Sequence, residues 1–238
     1  MTRIDDPAAV REQYASEVGL AARKSIYTDV TGPDAREIAF QAVAEVRPQS
    51  VLEVGCGEGE LAERMTAELA AEVIAIDQSE RMVEIARARG VDARIGDVQE
   101  LHFADVAFDV VVAAWMLYHV PDLDRAVAEL ARVLRPAGRL VAVTNASDHL
   151  QEMLDLAGVE GWGFSFRAEN GAEILGRHFS AVETRDASGT VTLRDADQIR
   201  AYLQSSIRLC EWADRVPELE EPLVVRRRPV IFVAEKAP

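Results

Sequence analysis

The sequence predicts an α/β fold: a mostly parallel sheet with helices on both faces. Three observations lead there. Short apolar runs alternate with helical patterns from residue 51 to about residue 145. The run Phe108 to Ala114 is apolar and β-branched almost throughout, as a strand buried on both faces must be. A first strand beginning at Val51 ends in a tight turn with glycine at every second position, Gly55-Cys56-Gly57-Glu58-Gly59, and a helical pattern starts at once behind it.

Taken in order, residues 7–27 have helical character, with Val10, Tyr14, Val18 and Ala21 or Ala22 on one stripe and Pro7 suited to a first turn. Thr31-Gly32-Pro33-Asp34 is a turn, and a second helix is predicted from Asp34 to Glu45. Behind the first strand come a helix from Leu61 to Ala70 and a strand from Glu72 to Asp77. A helix from Ser79 to Arg89 follows, with Ser79 as N-cap and Gly90 as C-cap. Ala93 to Ile95 reads as a short third strand and Phe108 to Ala114 as the fourth. Leu123, Val127, Leu130 and Leu134 mark an amphipathic helix, and Pro136-Ala137-Gly138 turns the chain into a strand from Arg139 to Thr144.

Beyond residue 145, a helix is expected to start at Asn145-Ala146-Ser147 and to include His149. Gly161 to Phe166 alternates aromatic and small residues, which suits a hydrophobic plug or a pocket wall. Residues 168–177 read as a short helix, Phe179 to Ala187 with Thr190 to Leu193 as a sixth strand and its extension, Asp195 to Asp214 as a helix, and Val230 to Ala234 as the last strand.

Composition narrows the function. The 238 residues fit one ordinary α/β domain, and 49% hydrophobic content is enough for a sizeable core. No apolar run reaches the roughly 20 residues that span a bilayer. The acidic N-terminus lacks the apolar stretch of a signal peptide, so a cytoplasmic location is expected. A net charge of −15 makes nucleic acid a poor partner. Cys56 and Cys210 form neither a disulfide framework nor a zinc cluster, so no metal is expected. The basic run Arg226-Arg227-Arg228 reads as a solvated loop or edge gatekeeper. Lysine occurs only at positions 24 and 236, a balance expected of a GC-rich bacterial genome.

The glycine turn differs from the dinucleotide fingerprint G-x-G-x-x-G, because its spacing is G-x-G-x-G and Glu60 stands where the last glycine would fall. Glu53 also places a carboxylate at the end of a strand that should be wholly apolar. With these features the stretch resembles motif I of the class I S-adenosylmethionine-dependent methyltransferases, of the small-molecule type related to the ubiquinone and menaquinone biosynthesis enzymes. The resemblance continues through Asp77, Gly96-Asp97-Val98, Asp109, Trp115 to Asp122 and Val133 to Leu140. It covers about residues 50–145. His102 stands where proline is common in the family, and Ala137 where glycine is usual.

The resemblance implies that Glu53, Gly55, Gly57 and Gly59 hold the methionine end of the cofactor. Asp77, some 20 residues past the turn, is placed to accept both ribose hydroxyls, its plainer reading being a charge at a helix start. Asp97 would meet the adenine edge. Gln78, Met82, Val98, Ala114 and Met116 complete the implied cofactor contacts. Tyr14 is either a core residue or, as the family implies, an aromatic on a helix that closes over the cofactor. His119 lies just past the fourth strand, where ligands collect, and is the first candidate base, with Tyr14 and His149 behind it; its alternative is a structural histidine. His102 reads as a surface residue.

The expected whole is a Rossmann-like seven-stranded, mostly parallel sheet with helices on both faces. Residues 1–49 would form an N-terminal helical cap, residues 50–145 the cofactor-binding core, and residues 146–238 a small cap with the last strands. The expected reaction is methyl transfer from S-adenosylmethionine to an oxygen, nitrogen or carbon nucleophile of a small molecule, by a monomer or homodimer. A nicotinamide-dependent oxidoreductase and a catalytically idle cofactor-binding module are the alternatives.

Overall fold

The computed structural model describes residues 5, 7–14, 18–160 and 163–238. Its centre is a seven-stranded sheet made of β1 (Ser50–Val54), β2 (Glu72–Asp77), β3 (Asp92–Ile95), β4 (Phe108–Ala114), β5 (Leu134–Asn145), β6 (Ala181–Asp186) and β9 (Pro229–Glu235). The strand order is β3-β2-β1-β4-β5-β9-β6. The first five strands run parallel; β9 is antiparallel to both β5 and β6.

Alternation along the strands feeds both faces. On β4, Val111 and Ala113 join Leu52, Val54 and Leu140 under the helix α6 (Leu123–Val133), whose Val127 and Leu130 are fully buried. Val110 and Val112 point the other way, into a core shared with α3 (Ala35–Ala44), α4 (Glu60–Glu68) and α5 (Glu80–Ala88). Helix starts follow their capping residues: Asp34, Ser79 and Asp122 each accept a backbone N–H of the first turn.

A third apolar cluster lies outside the sheet. It joins Ile26 of the N-terminal region, Leu150, Met153 and Leu154 around α7 (Gln151–Leu156), Ile199 and Leu203 of α9 (Ala196–Gln204), and the hairpin-like pair β7 (Gly189–Leu193) and β8 (Leu223–Arg227). The remaining elements are α1 (Pro7–Gln13), α2 (Val18–Ser25) and α8 (Gly171–Leu175), with 3-10 turns at Leu117–His119 and Cys210–Arg215. Among the described residues, no helix is long and apolar enough to cross a membrane.

The structure corrects several sequence expectations. The helix over residues 7–27 is two helices, α1 and α2. Thr190 to Leu193 does not prolong β6; it pairs with β8 in a separate two-stranded sheet. No helix starts at Asn145, because Ala146 and Leu150 send their N–H groups to Arg228 and Arg226 carbonyls, and the helix waits until Gln151. Asp195 to Asp214 divides into α9 and a 3-10 turn, Cys210–Arg215. Pro136-Ala137-Gly138 bulges within β5, with Ala137 at φ 57°. The basic run is no simple solvated loop. Strand alternation turns Arg227 inward with Val225, while Arg226 and Arg228 face out toward Glu152 and Asp148.

Of the aromatic run, Trp162 lies outside the described residues. Phe166 packs edge-on against Phe232 and Phe164 against the back of Tyr118, so the described part is a plug beneath the cavity wall.

Candidate active site

β1 and β4 are parallel neighbours at the middle of the sheet; the chain continues from β1 to β2 on one side and from β4 to β5 on the other. A crevice opens beyond the carboxyl ends of such a pair. Here it is a cavity of about 840 Å³, roofed by α1, α2 and α9. That volume is near the upper end for single-ligand pockets, so two molecules can share it.

The three glycines of the turn divide into two roles. A side chain at Gly55 would strike Cβ of Met116 at 2.6 Å, and one at Gly59 would strike Cβ of Ala86 on α5 at 2.7 Å. Those two allow close packing. A side chain at Gly57, at φ 53°, would meet only Leu20, at 3.9 Å, and would otherwise enter the cavity. Four of the five N–H groups from Gly55 to Gly59 are already used: Gly55 and Cys56 donate to Ile76 O, Gly57 to Asp77 Oδ2, and Gly59 to Cys56 O. A pyrophosphate needs such donors. Their engagement, beside the carboxylates of Glu53, Glu58 and Asp77, argues against a dinucleotide.

Glu53 is buried at the end of β1, and its Oε2 has no hydrogen-bond partner among the described residues. Burial pushes its pKa up to about 8; the Asp77 carboxylate adds to the rise and the Ala62 backbone N–H opposes it. An orphaned carboxylate oxygen at the wall of a cavity fits the ammonium group of an amino-acid ligand. Asp77 accepts the Gly57 N–H through Oδ2 and the Ser79 N–H through Oδ1, each at 2.9 Å. Its pKa is raised by burial, against the pull of these N–H groups. The residue therefore braces the turn and keeps oxygen lone pairs on the cavity side. Gln78, Asp97, Val98, Ala114 and Met116 also line the cavity. These donors and acceptors fit the methionine, ribose and adenine parts of S-adenosylmethionine.

Two expected contacts fall elsewhere. Met82 is fully buried in the core and Gly59 serves helix packing; neither lines the cavity. Met82 lies on α5, where helical spacing turns it inward beside Val83 and Ala86. Burial also raises the Cys56 thiol far above its ordinary pKa, which keeps it protonated and unreactive.

Tyr14 and His119 come together across the cavity, with Tyr14 Oη 3.0 Å from His119 Nε2. The Ser79 hydroxyl donates to the Tyr14 carbonyl at 2.8 Å, and Lys24 of α2 is paired with Glu58 and Glu60. The roof is thus fastened directly to the glycine turn and to the start of α5.

His149 is a different matter. Its Nδ1 accepts the Arg228 backbone N–H at 2.8 Å, so the ring proton of the neutral form sits on Nε2 and points to Tyr27 Oη at 3.1 Å. Burial, helped by Arg227, lowers its pKa to about 3. With its lone pair engaged, His149 orients Tyr27 and cannot act as a base. His102 does not line the cavity.

The sequence reading missed Arg23, Tyr27, Tyr118, Tyr202 and Arg227, all of which line the cavity. All four tyrosines of the chain converge here. Desolvation raises the phenol pKa values of Tyr27, Tyr118 and Tyr202, which keeps them as hydrogen-bond donors. The period-two pattern of Leu223 to Arg227 could have revealed Arg227; no local pattern marks the tyrosines. Among the described residues, no group of three or more His, Cys, Asp or Glu side chains is arranged to hold a metal.

Comparison with known proteins agrees with this geometry. Residues 52–142 match the methyltransferase domain family. The chain is 43% identical over 98 residues to 27-O-demethylrifamycin SV methyltransferase of Amycolatopsis mediterranei, covering 38% of this chain and 36% of that protein. It is 42% identical over 101 residues to the ubiquinone biosynthesis O-methyltransferase of Xanthomonas oryzae, covering 40% and 42%. The alignments therefore span about two fifths of these relatives. Over nearly the whole chain, 96% of this protein and 95% of the other, the fold matches the crystal structure of the cyclase SpnF, with a TM-score of 0.63 at 20% identity. The matched segment contains the glycine turn, Asp77, Asp97 and His119, the same residues that shape the crevice. Over this segment the chain is similar to S-adenosylmethionine-dependent methyltransferases, and S-adenosylmethionine is the cofactor that the crevice fits.

Proposed function

We propose that this protein transfers the methyl group of S-adenosylmethionine to a hydroxyl of a small molecule. The observation that carries the reading is the Tyr14–His119 pair, 3.0 Å apart at the wall of a cavity large enough for both reactants. Bound cofactor supplies an activated methyl on a sulfonium. Glu53 receives the ammonium end, Asp77 the ribose hydroxyls and Asp97 the adenine edge. Tyr14 accepts the proton of the acceptor hydroxyl and donates its own to His119 Nε2, so the oxygen becomes a better nucleophile as it aligns. The roof of α1 and α2 covers part of the crevice. The two named relatives methylate oxygen, as their names state, which supports the choice of a hydroxyl over nitrogen or carbon.

A small-molecule acceptor, not nucleic acid, follows from the net charge of −15. The proposal includes a monomer or homodimer working in the cytoplasm. The SpnF match shows that one architecture hosts different reactions, so product detection decides the matter. The test is S-adenosylhomocysteine release with mass analysis of a panel of phenols, alcohols and amines. Tyr14→Phe and His119→Ala should each lower kcat roughly 10²–10⁴-fold, and the double variant should lose little more. Full turnover in either single variant, on the true acceptor, would remove the pair from the chemistry.

A further inference from the structure

The cavity wall also holds two guanidinium groups, Arg23 and Arg227, without an acidic partner among the described residues. The other cations that line it are paired: Lys24 with Glu58 and Glu60, Arg36 with Glu60, and Arg64 with Glu37 and Glu68. Arg227 is buried and gives its hydrogen bonds to the carbonyls of Thr31, Pro33 and Ala187, which satisfies the donors but leaves the charge. Arg23 on α2 donates Nη1 to Ser205 O at 2.7 Å, and its guanidinium carbon lies 5.3 Å from the centre of the Tyr14 ring. Its Nη2 is buried with no acceptor among the described residues.

An unsatisfied, desolvated cationic donor is costly, and none of the described acidic side chains meets it. A ligand anion would fill that vacancy in hydrogen bonding. Around Arg23 the wall is aromatic: Tyr14, whose ring it faces, with Tyr27, Tyr118 and Tyr202 lining the same cavity. Such a surface favours a flat, unsaturated partner.

We propose that the methyl acceptor is an aromatic or conjugated acid whose carboxylate is received by Arg23, under the added positive potential of Arg227. This rests on the reading of the crevice as a methyltransferase site. Arg23 Nη2 supplies the directional hydrogen bond, Nη1 stays on Ser205, and the tyrosines hold the ring so that a hydroxyl on it faces Tyr14 Oη.

The experiment compares matched probes by calorimetry on the intact protein, with and without saturating S-adenosylhomocysteine. The probes are para-hydroxybenzoate, para-coumarate and caffeate, each set against its neutral carboxamide. At least one acid should bind, and its carboxamide should bind roughly 10- to 100-fold more weakly, the worth of a charged hydrogen bond. Arg23→Gln should erase that preference while leaving the affinity for S-adenosylhomocysteine within about twofold, which also reports that the variant is folded. Arg23→Lys should keep part of the preference. Equal binding of acids and amides, or no binding of any acid by wild type, would overturn the proposal. So would an Arg23→Gln variant that keeps the preference. Loss of S-adenosylhomocysteine binding by wild type would instead strike the cofactor reading, and the acid–amide comparison would still be read on the protein alone.

Discussion

Cofactor binding should release a proton, and Glu53 should be its source. The carboxyl sits at the end of β1 with a pKa of about 8, raised first by burial and then by Asp77. At pH 7 such a group is about 90% protonated. Meeting a cofactor ammonium requires the ionised form, so binding at pH 7 should expel about 0.9 proton per molecule. The same linkage makes affinity rise with pH. Between pH 6 and pH 7 the association constant should increase about ninefold, because the work of ionising Glu53 falls by about 1.4 kcal/mol per unit. Titrating S-adenosylhomocysteine calorimetrically in two buffers of different ionisation enthalpy measures the proton count directly. Glu53→Gln should bind more weakly, release almost no proton and lose the pH slope.

The unliganded protein gives a second reading of the same group. The folded pKa of about 8 lies above the ordinary carboxyl value of 4.5, so the folded state keeps a proton that the unfolded chain gives up. Stability should therefore fall as pH rises from about 4.5 to about 8, by up to roughly 5 kcal/mol, and Glu53→Gln should show a flatter profile over that window. Binding without proton release, together with constant affinity from pH 6 to 7, would refute the reasoning. It would mean either that the carboxylate is already ionised or that it does not meet the cofactor.

Other parts of the site make separable predictions. Gly57→Val should abolish S-adenosylhomocysteine binding with a native circular dichroism spectrum, whereas Gly59→Val should lower the melting temperature through its clash with Ala86. Asp77→Ala should weaken cofactor binding by about 1.5–3 kcal/mol in calorimetry, the range for a charged hydrogen bond, with part of the loss arising from the released Gly57 N–H. His149, with its pKa lowered to about 3, should make the protein acid-labile: stability is lost as pH falls from about 6.5, where the unfolded chain begins to take up the proton that the folded state refuses. His149→Gln can still accept the Arg228 N–H, and thermal melts of this variant should flatten between pH 6.5 and 4.

The cofactor half was readable because one βα unit builds most of it. The first strand, the glycine turn and the next strand end bring Glu53, Gly57 and Asp77 together at fixed sequence spacing, and the spacing is itself the geometry. Met82 was misassigned because the order of residues after Ser79 does not show which side of α5 meets the ligand; burial decides it. The substrate half had no such spacing. Tyr27 stands before the first strand, Tyr118 follows β4 and Tyr202 sits on α9. Only packing joins them. Arg227 was hidden differently, since three consecutive arginines look solvated until a strand turns the middle one inward.

This division has an energetic counterpart. The cap cluster around Ile26, Leu150, Leu203 and Val225 has no buried residue in common with the two clusters that sandwich the sheet. α9 and β8 pack in that cluster and α2 packs against α9, so these elements carry Tyr202, Arg227 and Arg23, whereas Glu53 and Asp77 stand on the sheet. Among the described residues the fastening includes three contacts: Tyr14 to His119, Ser79 to the Tyr14 carbonyl, and Lys24 to Glu58 and Glu60. Two of these three link the roof to residues beside the cofactor's place, the third to the candidate base. Tyr14, which meets the candidate base, is also the residue whose carbonyl Ser79 holds, so the roof contact and the Tyr14–His119 pair rest on the same residue.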